Sequence, residues 1–162
     1  MKKKSNGKLF TVPVTIGILI LILVLFGVIL GPLLISTDPN AVDMGNILQP
    51  PGKEHWLGTD SVGRDQFTRL LYGGRTTLLN ALLAVAISVV VGVPLGLICG
   101  YYGGLIDTII MRIWDCILAF PALLLAFIMV AALGRSSYNA VFAIGIVYIP
   151  MISKLARSMA MT

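Results

Sequence analysis

The sequence HWLGTDSVGRDQFTRLLYGGR, residues 55–75, is the longest interior stretch that is not hydrophobic, and apolar runs stand on both sides of it. Its charged residues alternate with glycines and fall close together: Asp60, Arg64, Asp65, Arg69 and Arg75. Asp65 precedes Arg69 by four positions, the order that favours an ion pair on one helix face. The stretch therefore predicts a short amphipathic helix beside a membrane-spanning segment.

Capping residues mark both ends of this predicted helix. Thr59, Asp60 or Ser61 can cap its start, because short polar side chains accept hydrogen bonds from the free N–H groups there. Gly73 stands where a left-handed C-terminal cap would end it. The helix is thus expected to be about two turns long, to lie at a membrane surface and to lead directly into the next span.

The composition points to a membrane protein. Hydrophobic residues make up 57% of the chain and charged residues only 12%, whereas ordinary soluble domains carry about 25% charged residues. The net charge of +5 does not indicate nucleic acid as a partner, because four of the cations are Lys2, Lys3, Lys4 and Lys8, ahead of the first apolar run. Both cysteines, Cys99 and Cys116, lie in or beside apolar runs, which predicts buried thiols with neither a disulfide nor a metal.

Four apolar runs predict an all-α polytopic fold with about four transmembrane helices: residues 12–35, 76–100, 116–133 and 139–153. The first run is long enough to cross roughly 30 Å of hydrocarbon. A secretory signal is the rival interpretation, but its apolar core would be only about 7–15 residues long. The lysine-rich start then predicts a cytoplasmic N-terminus, and both termini fall on the cytoplasmic side.

This topology divides the chain into three predicted regions. Residues 1–35 form the basic start and the first span, residues 36–75 an external loop with the amphipathic helix, and residues 76–162 a core of three spans. Turn signals such as Pro50-Pro51-Gly52 make the first half of the external region an extended loop. His55, the only histidine, has no second ligand at a useful spacing and is expected to be a surface residue.

The second span carries a small or modestly polar residue at every fourth position: Asn80, Ala84, Ser88, Gly92, Gly96 and Gly100. Such spacing keeps these residues on one slowly turning helix face and allows another helix to approach closely. The pattern predicts a helix-packing face and leaves open whether it also forms a wall of a translocation pathway. Pro94 lies inside this span and is expected to kink it.

Charged residues flank the third and fourth spans on the predicted cytoplasmic side: Asp107, Arg112, Asp115, Lys154 and Arg157. Arg112 and Asp115 are three positions apart and can form an ion pair. Charges this close to a span are costly unless they are paired or reach the headgroups, and snorkelling to the cytoplasmic headgroups is the expected explanation. Phe120-Pro121 predicts a kink in the third span.

The sequence contains no recognisable catalytic site. It has no P-loop, no nucleophile beside a base, no carboxylate pair across a cleft and no cluster of metal ligands. No catalytic, cofactor-binding or metal-binding residue is therefore predicted, and the chain is not expected to be an enzyme or to hydrolyse ATP.

Two separate motifs resemble a known family. Gly58-Thr59-Asp60, Gly63-Arg64-Asp65, Arg69, Tyr72-Gly73 and Arg75 stand in the order and spacing of permease subunits of ATP-binding-cassette importers, in the branch that moves dipeptides, oligopeptides or nickel. The pattern D-x-x-x-M-R-x-x-D-x-x-x-A-F-P-x-L-L-L, from Asp107 onward, resembles the same family. The resemblance begins near Trp56 and corresponds to the front part of such a permease.

The resemblance implies a transport function and a set of partners. Two permease subunits, identical or different, form the pathway in the bacterial inner membrane and work by alternating access. Two cytoplasmic ATPase subunits supply the energy, and an extracytoplasmic binding protein delivers the solute. The charged helix around Asp60 is expected to help receive that binding protein. The ATPase-docking loop of the family would follow Thr162, so we expect either a fragment or a truncated gene product.

Two other classes of protein remain open from the residues alone. A self-contained four-helix carrier coupled to protons would need a membrane-embedded carboxylate, and Asp115 is the nearest candidate. A membrane scaffold that transports nothing would use the glycine face of the second span to bind a partner.

Overall fold

The computed structural model describes residues 12–35 and 37–161, and its long elements are all helices. They are α1 (Val12–Leu34), α2 (Gln66–Tyr102), α3 (Gly104–Leu118), α4 (Ala122–Leu133) and α5 (Ser137–Ala160), with one 3₁₀ turn at Met44–Asn46. Three of these helices are long and apolar enough to cross a membrane, or four spans result if α3 and α4 count as one bent span. The predicted all-α polytopic fold is confirmed. The lysines that predict its orientation lie outside the described residues.

The chain divides into two compact units, Met1–Thr76 and Thr77–Thr162. In the first unit, α1 contacts the first turns of α2. Gly31 approaches the side chain of Leu71, and Gly74 approaches Val28, so the absence of a Cβ on each side lets the two helices come close. The Tyr72 hydroxyl donates to the carbonyl groups at the end of α1. It lies 3.3 Å from the Pro32 carbonyl oxygen and 3.3 Å from the Ile35 carbonyl oxygen.

The amphipathic helix and the second span form one continuous helix, which corrects the prediction of a cap at Gly73. Gly73 is helical and has no positive φ, and α2 runs without interruption from Gln66 to Tyr102. A glycine can end a helix, but it does so only where the chain must turn. Here the residues on both sides of Gly73 and Gly74 are compatible with a helix and pack against α1, so the helix continues.

In the second unit, α5 is the central helix. Its buried residues are distributed around most of the helix circumference, because residues two positions apart point to nearly opposite sides. They are Val141, Ala143, Gly145, Val147, Ile149, Pro150 and Ser153. Ser136 caps its start by accepting a hydrogen bond from the Tyr138 N–H. The sequence left the end of this helix open beyond the apolar run 139–153, and α5 continues to Ala160. In this last part of α5, Lys154 and Arg157 each pair with a carboxylate of α3.

The predicted third span is broken into two helices. α3 ends at Leu118, α4 begins at Ala122, and their axes are bent by 87°. The break falls at the predicted kink, because Pro121 has no N–H to donate and disfavours helical backbone at Phe120. The twelve residues of α4 rise only about 18 Å, which is less than the roughly 30 Å of a bilayer core. α3 and α4 therefore make a broken span or a re-entrant segment.

Candidate functional site

Among the residues that the structure describes, polar side chains form three groups: the loop of residues 37–65, the contact between α2 and α5, and the contact between α3 and α5. The sequence singled out residues in all three. Each group lies within one of the two units, so each can be described by its own contacts.

Asp60 organises the 37–65 loop. Its Oδ2 accepts hydrogen bonds from Arg64 Nε at 2.8 Å and from Arg69 Nη1 at 2.5 Å, and its Oδ1 accepts the backbone N–H groups of Val62 and Arg64. Desolvation acts to raise the pKa of Asp60, but the hydrogen bonds from Arg64 and Val62 outweigh it and lower this pKa from its usual 3.8 to about 2. The carboxylate is therefore fully charged at neutral pH and holds two cations.

Asp65 is the N-cap of α2, so the predicted caps at Thr59, Asp60 or Ser61 were wrong. Its Oδ2 accepts the Thr68 N–H at 2.7 Å, and its Oδ1 lies 3.0 Å from His55 Nδ1. Desolvation acts to raise the pKa of Asp65, but the hydrogen bonds from Thr68 and His55 lower it overall. The predicted Asp65–Arg69 pair does not form, because an N-cap side chain turns back toward its own helix end and Arg69 reaches Asp60 instead.

His55 is half-buried and paired with Asp65, which corrects its prediction as a surface residue. The partner carboxylate lies ten positions further along the chain. A local search for ligand spacing misses such a pair, because only the turns of the loop bring the two side chains together.

The glycines and threonine of the loop motif serve its internal packing. Gly58 and Gly63 have φ of +74° and +77°, and a Cβ on either residue would overlap the backbone of Gln49 or Asp43. Thr59 is buried, donating its hydroxyl to the Asn46 carbonyl at 2.5 Å and accepting the Gln49 N–H. These motif residues therefore make their contacts within the loop and stabilise its fold.

The residues of the small-residue face of α2 lie against α5 or beside it. Ser88 is buried, and its Oγ lies 2.7 Å from the Gly145 carbonyl and 2.9 Å from its own Ala84 carbonyl. A Cβ on Gly92, Gly96 or Gly100 would meet backbone or side-chain atoms of α5. Asn80 precedes Ser88 on the same helix and lines a cavity of about 390 Å³ together with residues of α5.

A third group joins α3 to α5, and we call it the charged seam: Asp107, Trp114, Asp115, Ser153, Lys154 and Arg157. Arg157 donates two hydrogen bonds to Asp107, through Nε to Oδ1 and through Nη2 to Oδ2. Lys154 Nζ lies 2.5 Å from Asp115 Oδ1. Trp114 Nε1 donates to the fully buried Ser153 hydroxyl at 3.0 Å. Each polar group of the seam thus has a partner on the opposite helix.

The seam corrects the predicted pairing of Arg112 with Asp115. Lys154 takes this carboxylate instead, and Arg112 lies exposed beside it. Asp107 and Arg157 are paired with each other, and their side chains are only 15% and 28% exposed. Snorkelling of the seam charges to the headgroups stays a prediction. The sequence did not indicate Trp114 or Ser153, because their bond joins residues 39 positions apart.

The two cysteines differ in exposure. Cys99 is buried, and Cys116 is exposed on α3, so the prediction of two buried thiols was wrong for Cys116. Both are free thiols. Among residues 12–35 and 37–161, no group of three histidine, cysteine, aspartate or glutamate residues could hold a metal ion.

Comparison with known proteins identifies relatives for nearly the whole chain. Residues 92–162 match the family described as the binding-protein-dependent transport system inner membrane component. The chain is 45% identical over 150 residues to the probable D,D-dipeptide transport system permease protein DdpC of Escherichia coli (strain K12), covering 92% of this chain and 50% of that protein.

Two further relatives carry related names. The dipeptide transport system permease protein DppC of Alkalihalophilus pseudofirmus is 46% identical over 143 residues, covering 88% of this chain and 47% of that protein. The glutathione transport system permease protein GsiD of Pectobacterium atrosepticum is 39% identical over 146 residues, covering 90% and 48%. The chain spans about half the length of these curated relatives.

These matches confirm the resemblance that the two motifs indicated. The family description names an inner membrane component, which together with several apolar helices confirms the predicted multi-pass location in a bacterial inner membrane. Residues 92–162 therefore match the inner membrane components of binding-protein-dependent transport systems, and the chain is similar along most of its length to permease proteins of peptide transport systems.

Proposed function

We propose that this chain forms part of the translocation pathway of an ATP-binding-cassette importer that moves peptides. The observation that carries the proposal is the 45–46% identity to two dipeptide permease proteins over about nine-tenths of the chain. The relatives named above are described by dipeptides or glutathione, which favours a peptide-like solute over a nickel chelate.

The proposed assembly contains a second permease subunit, two cytoplasmic ATPase subunits and an extracytoplasmic binding protein. The name of the matched family supports a binding protein as a partner. Because the sequence has no P-loop, ATP hydrolysis is assigned to the separate subunits, and this chain contributes transport rather than catalysis.

In this mechanism, α2 and α5 move as one body. Backbone contacts at Gly96 and the hydrogen bond from Ser88 to the Gly145 carbonyl support this, since packed helices of this kind resist sliding past one another. Alternating access then occurs where this body meets other parts of the transporter, and solute affinity differs between the two states.

The region that receives the binding protein is proposed to be the 37–65 loop with the start of α2. Arg64 and Arg69 both form ion pairs with Asp60, so they are not free to contact the binding protein through their charges. Their role in this proposal is to hold the loop in shape. Arg75 is exposed and has no ion pair in the described part of the chain, so it is the motif charge best able to contact a partner.

Dipeptide uptake tests the proposal. Cells lacking their own dipeptide permease subunit would receive the complete gene that encodes this chain, together with its transport partners, and uptake of a radiolabelled dipeptide would be measured. We expect uptake that requires ATP and the binding protein. Radioactive nickel supplied to the same cells gives the comparison. Nickel uptake without dipeptide uptake, or dipeptide uptake driven by a proton gradient alone, would contradict the proposal.

A further inference from the structure

The charged seam borders a cavity that is also lined by Arg112, a cation without an ion pair among the described residues. The cavity has a volume of about 430 Å³, and Asp107, Arg112, Asp115, Lys154 and Arg157 all line it. Both carboxylates are already engaged, Asp107 by Arg157 and Asp115 by Lys154. Arg112 is exposed and has no ion pair within 4.0 Å among the described residues. The lining therefore carries one net positive charge.

Neighbouring aromatic residues indicate that this cavity lies at headgroup level. Tyr101 and Tyr102 end α2 and are strongly exposed, directly before the turn that opens α3. Exposed tyrosines at the end of a membrane-spanning helix are typical of the bilayer interface, where the ring contacts acyl chains and the hydroxyl reaches water.

α3 has the two faces of an interfacial helix. Leu105, Ile109 and Ile113 are exposed and four positions apart, so they form one apolar stripe. The charged residues that pair with α5 lie elsewhere on the helix. An apolar stripe beside a charged face is the arrangement that lets a helix lie in the plane of the interface.

The ion pairs of the seam tie α3 to α5 at two places. Asp107 pairs with Arg157 and Asp115 pairs with Lys154, so the order of the pairs is antiparallel along the two helices. Arg112 lies between the two aspartates in the sequence of α3 and lines the same opening between the helices.

We propose that this opening binds the phosphate of an anionic phospholipid headgroup, with Arg112 as the principal contact and Lys154 and Arg157 beside it. Basic pockets between transmembrane helices are known to suit such headgroups. A phospholipid fits better than a soluble phosphate, because the apolar stripe of α3 gives its acyl chains a surface that a free anion cannot use. The proposal requires only that the chain is in a membrane and does not depend on which solute it transports.

Quenching of Trp114 by brominated lipids tests the proposal. The chain has two tryptophans, so Trp56→Phe leaves Trp114, which lies in the seam, as the only reporter. The full chain would be reconstituted with phosphatidylglycerol or phosphatidylcholine carrying the same brominated acyl chains at equal mole fraction. We expect stronger quenching by the anionic lipid than by the neutral one, which shows a preference for the anionic headgroup. Arg112→Gln should reduce this preference about fivefold, since one basic residue near an anionic surface contributes about that factor in affinity.

Matched variants and a soluble anion separate the outcomes. Arg135→Gln removes a cation from the α4–α5 turn and should leave the preference unchanged, and Arg112→Lys should retain most of it. Equal quenching by the two lipids, or a preference that survives Arg112→Gln, would overturn the proposal. A large excess of inorganic phosphate should have no effect, and loss of the preference in its presence would show a general phosphate site instead of a lipid site.

Discussion

The 37–65 loop and the charged seam use the same ion-pair chemistry over very different separations along the chain. In the loop, Asp60 binds Arg64 and Arg69, four and nine positions away. In the seam, Asp107 binds a residue fifty positions away, on another helix. Local pairs of the first kind shape one segment, whereas pairs of the second kind determine which helices lie together.

The two regions also differ in what surrounds their charges. In the loop, backbone N–H groups supply part of the stabilisation of Asp60, so the carboxylate would keep partners even without its arginines. In the seam, the carboxylates are satisfied by side chains of the opposite helix. We therefore expect substitutions in the loop to act locally and substitutions between helices to affect the whole second unit.

The largest effect is expected where helix backbones touch. Gly96→Ala places a methyl group against the Ser153 carbonyl of α5, and overpacking of this kind costs about 1–3 kcal/mol of unfolding free energy. Gly73→Ala is the matched control on the same helix, because its methyl group would meet no atom within 4 Å. The control should be neutral or stabilising by about 0.5–1 kcal/mol. Thermal unfolding in detergent measures both, and equal stability of the two variants would contradict this packing.

The second-largest effect on stability is expected for the two ion pairs of the seam. Asp107→Asn leaves Arg157, which is 28% exposed, without its carboxylate, whereas Asp115→Asn affects a pair whose side chains are 37% and 55% exposed. Water screens the second pair more strongly. We expect Asp107→Asn to lower the unfolding temperature more than Asp115→Asn, and Asp107→Arg combined with Arg157→Asp to recover part of the loss. The reverse order, or no recovery, would mean that the pairs do not hold α3 to α5.

The smallest effect is expected in the loop, and it depends on pH. The pKa of Asp60 is lowered by folding from 3.8 to about 2, so its contribution is present above pH 4 and is lost as the pH falls toward 2. Trp56, which contacts Phe67 beside the loop, reports this change by fluorescence when Trp114 is replaced by Phe. Asp60→Asn should remove this acid transition near pH 2–4 while the helix content of the protein stays unchanged. A transition that persists in this variant would assign it to another carboxylate.

The sequence alone determined the fold class, the approximate spans and the break at Pro121. These features depend on apolar runs and on the missing N–H of proline, and both act within a few residues. It also selected Gly92, Gly96 and Gly100, because a repeat of four places residues on one helix face whatever the partner is. The repeat does not indicate which helix packs against this face, and the structure shows that it is α5.

Only the tertiary structure decided which charges pair. Asp65 looked like a partner for Arg69 and Arg112 like a partner for Asp115, since each pair has helical spacing. In the structure Arg69 pairs with Asp60, because the N-cap bond turns Asp65 away. Lys154 pairs with Asp115, because α3 packs against α5. Local spacing defines which side chains can meet on one helix. Electrostatic attraction acts through space, so the final choice among several candidate partners depends on how the segments pack.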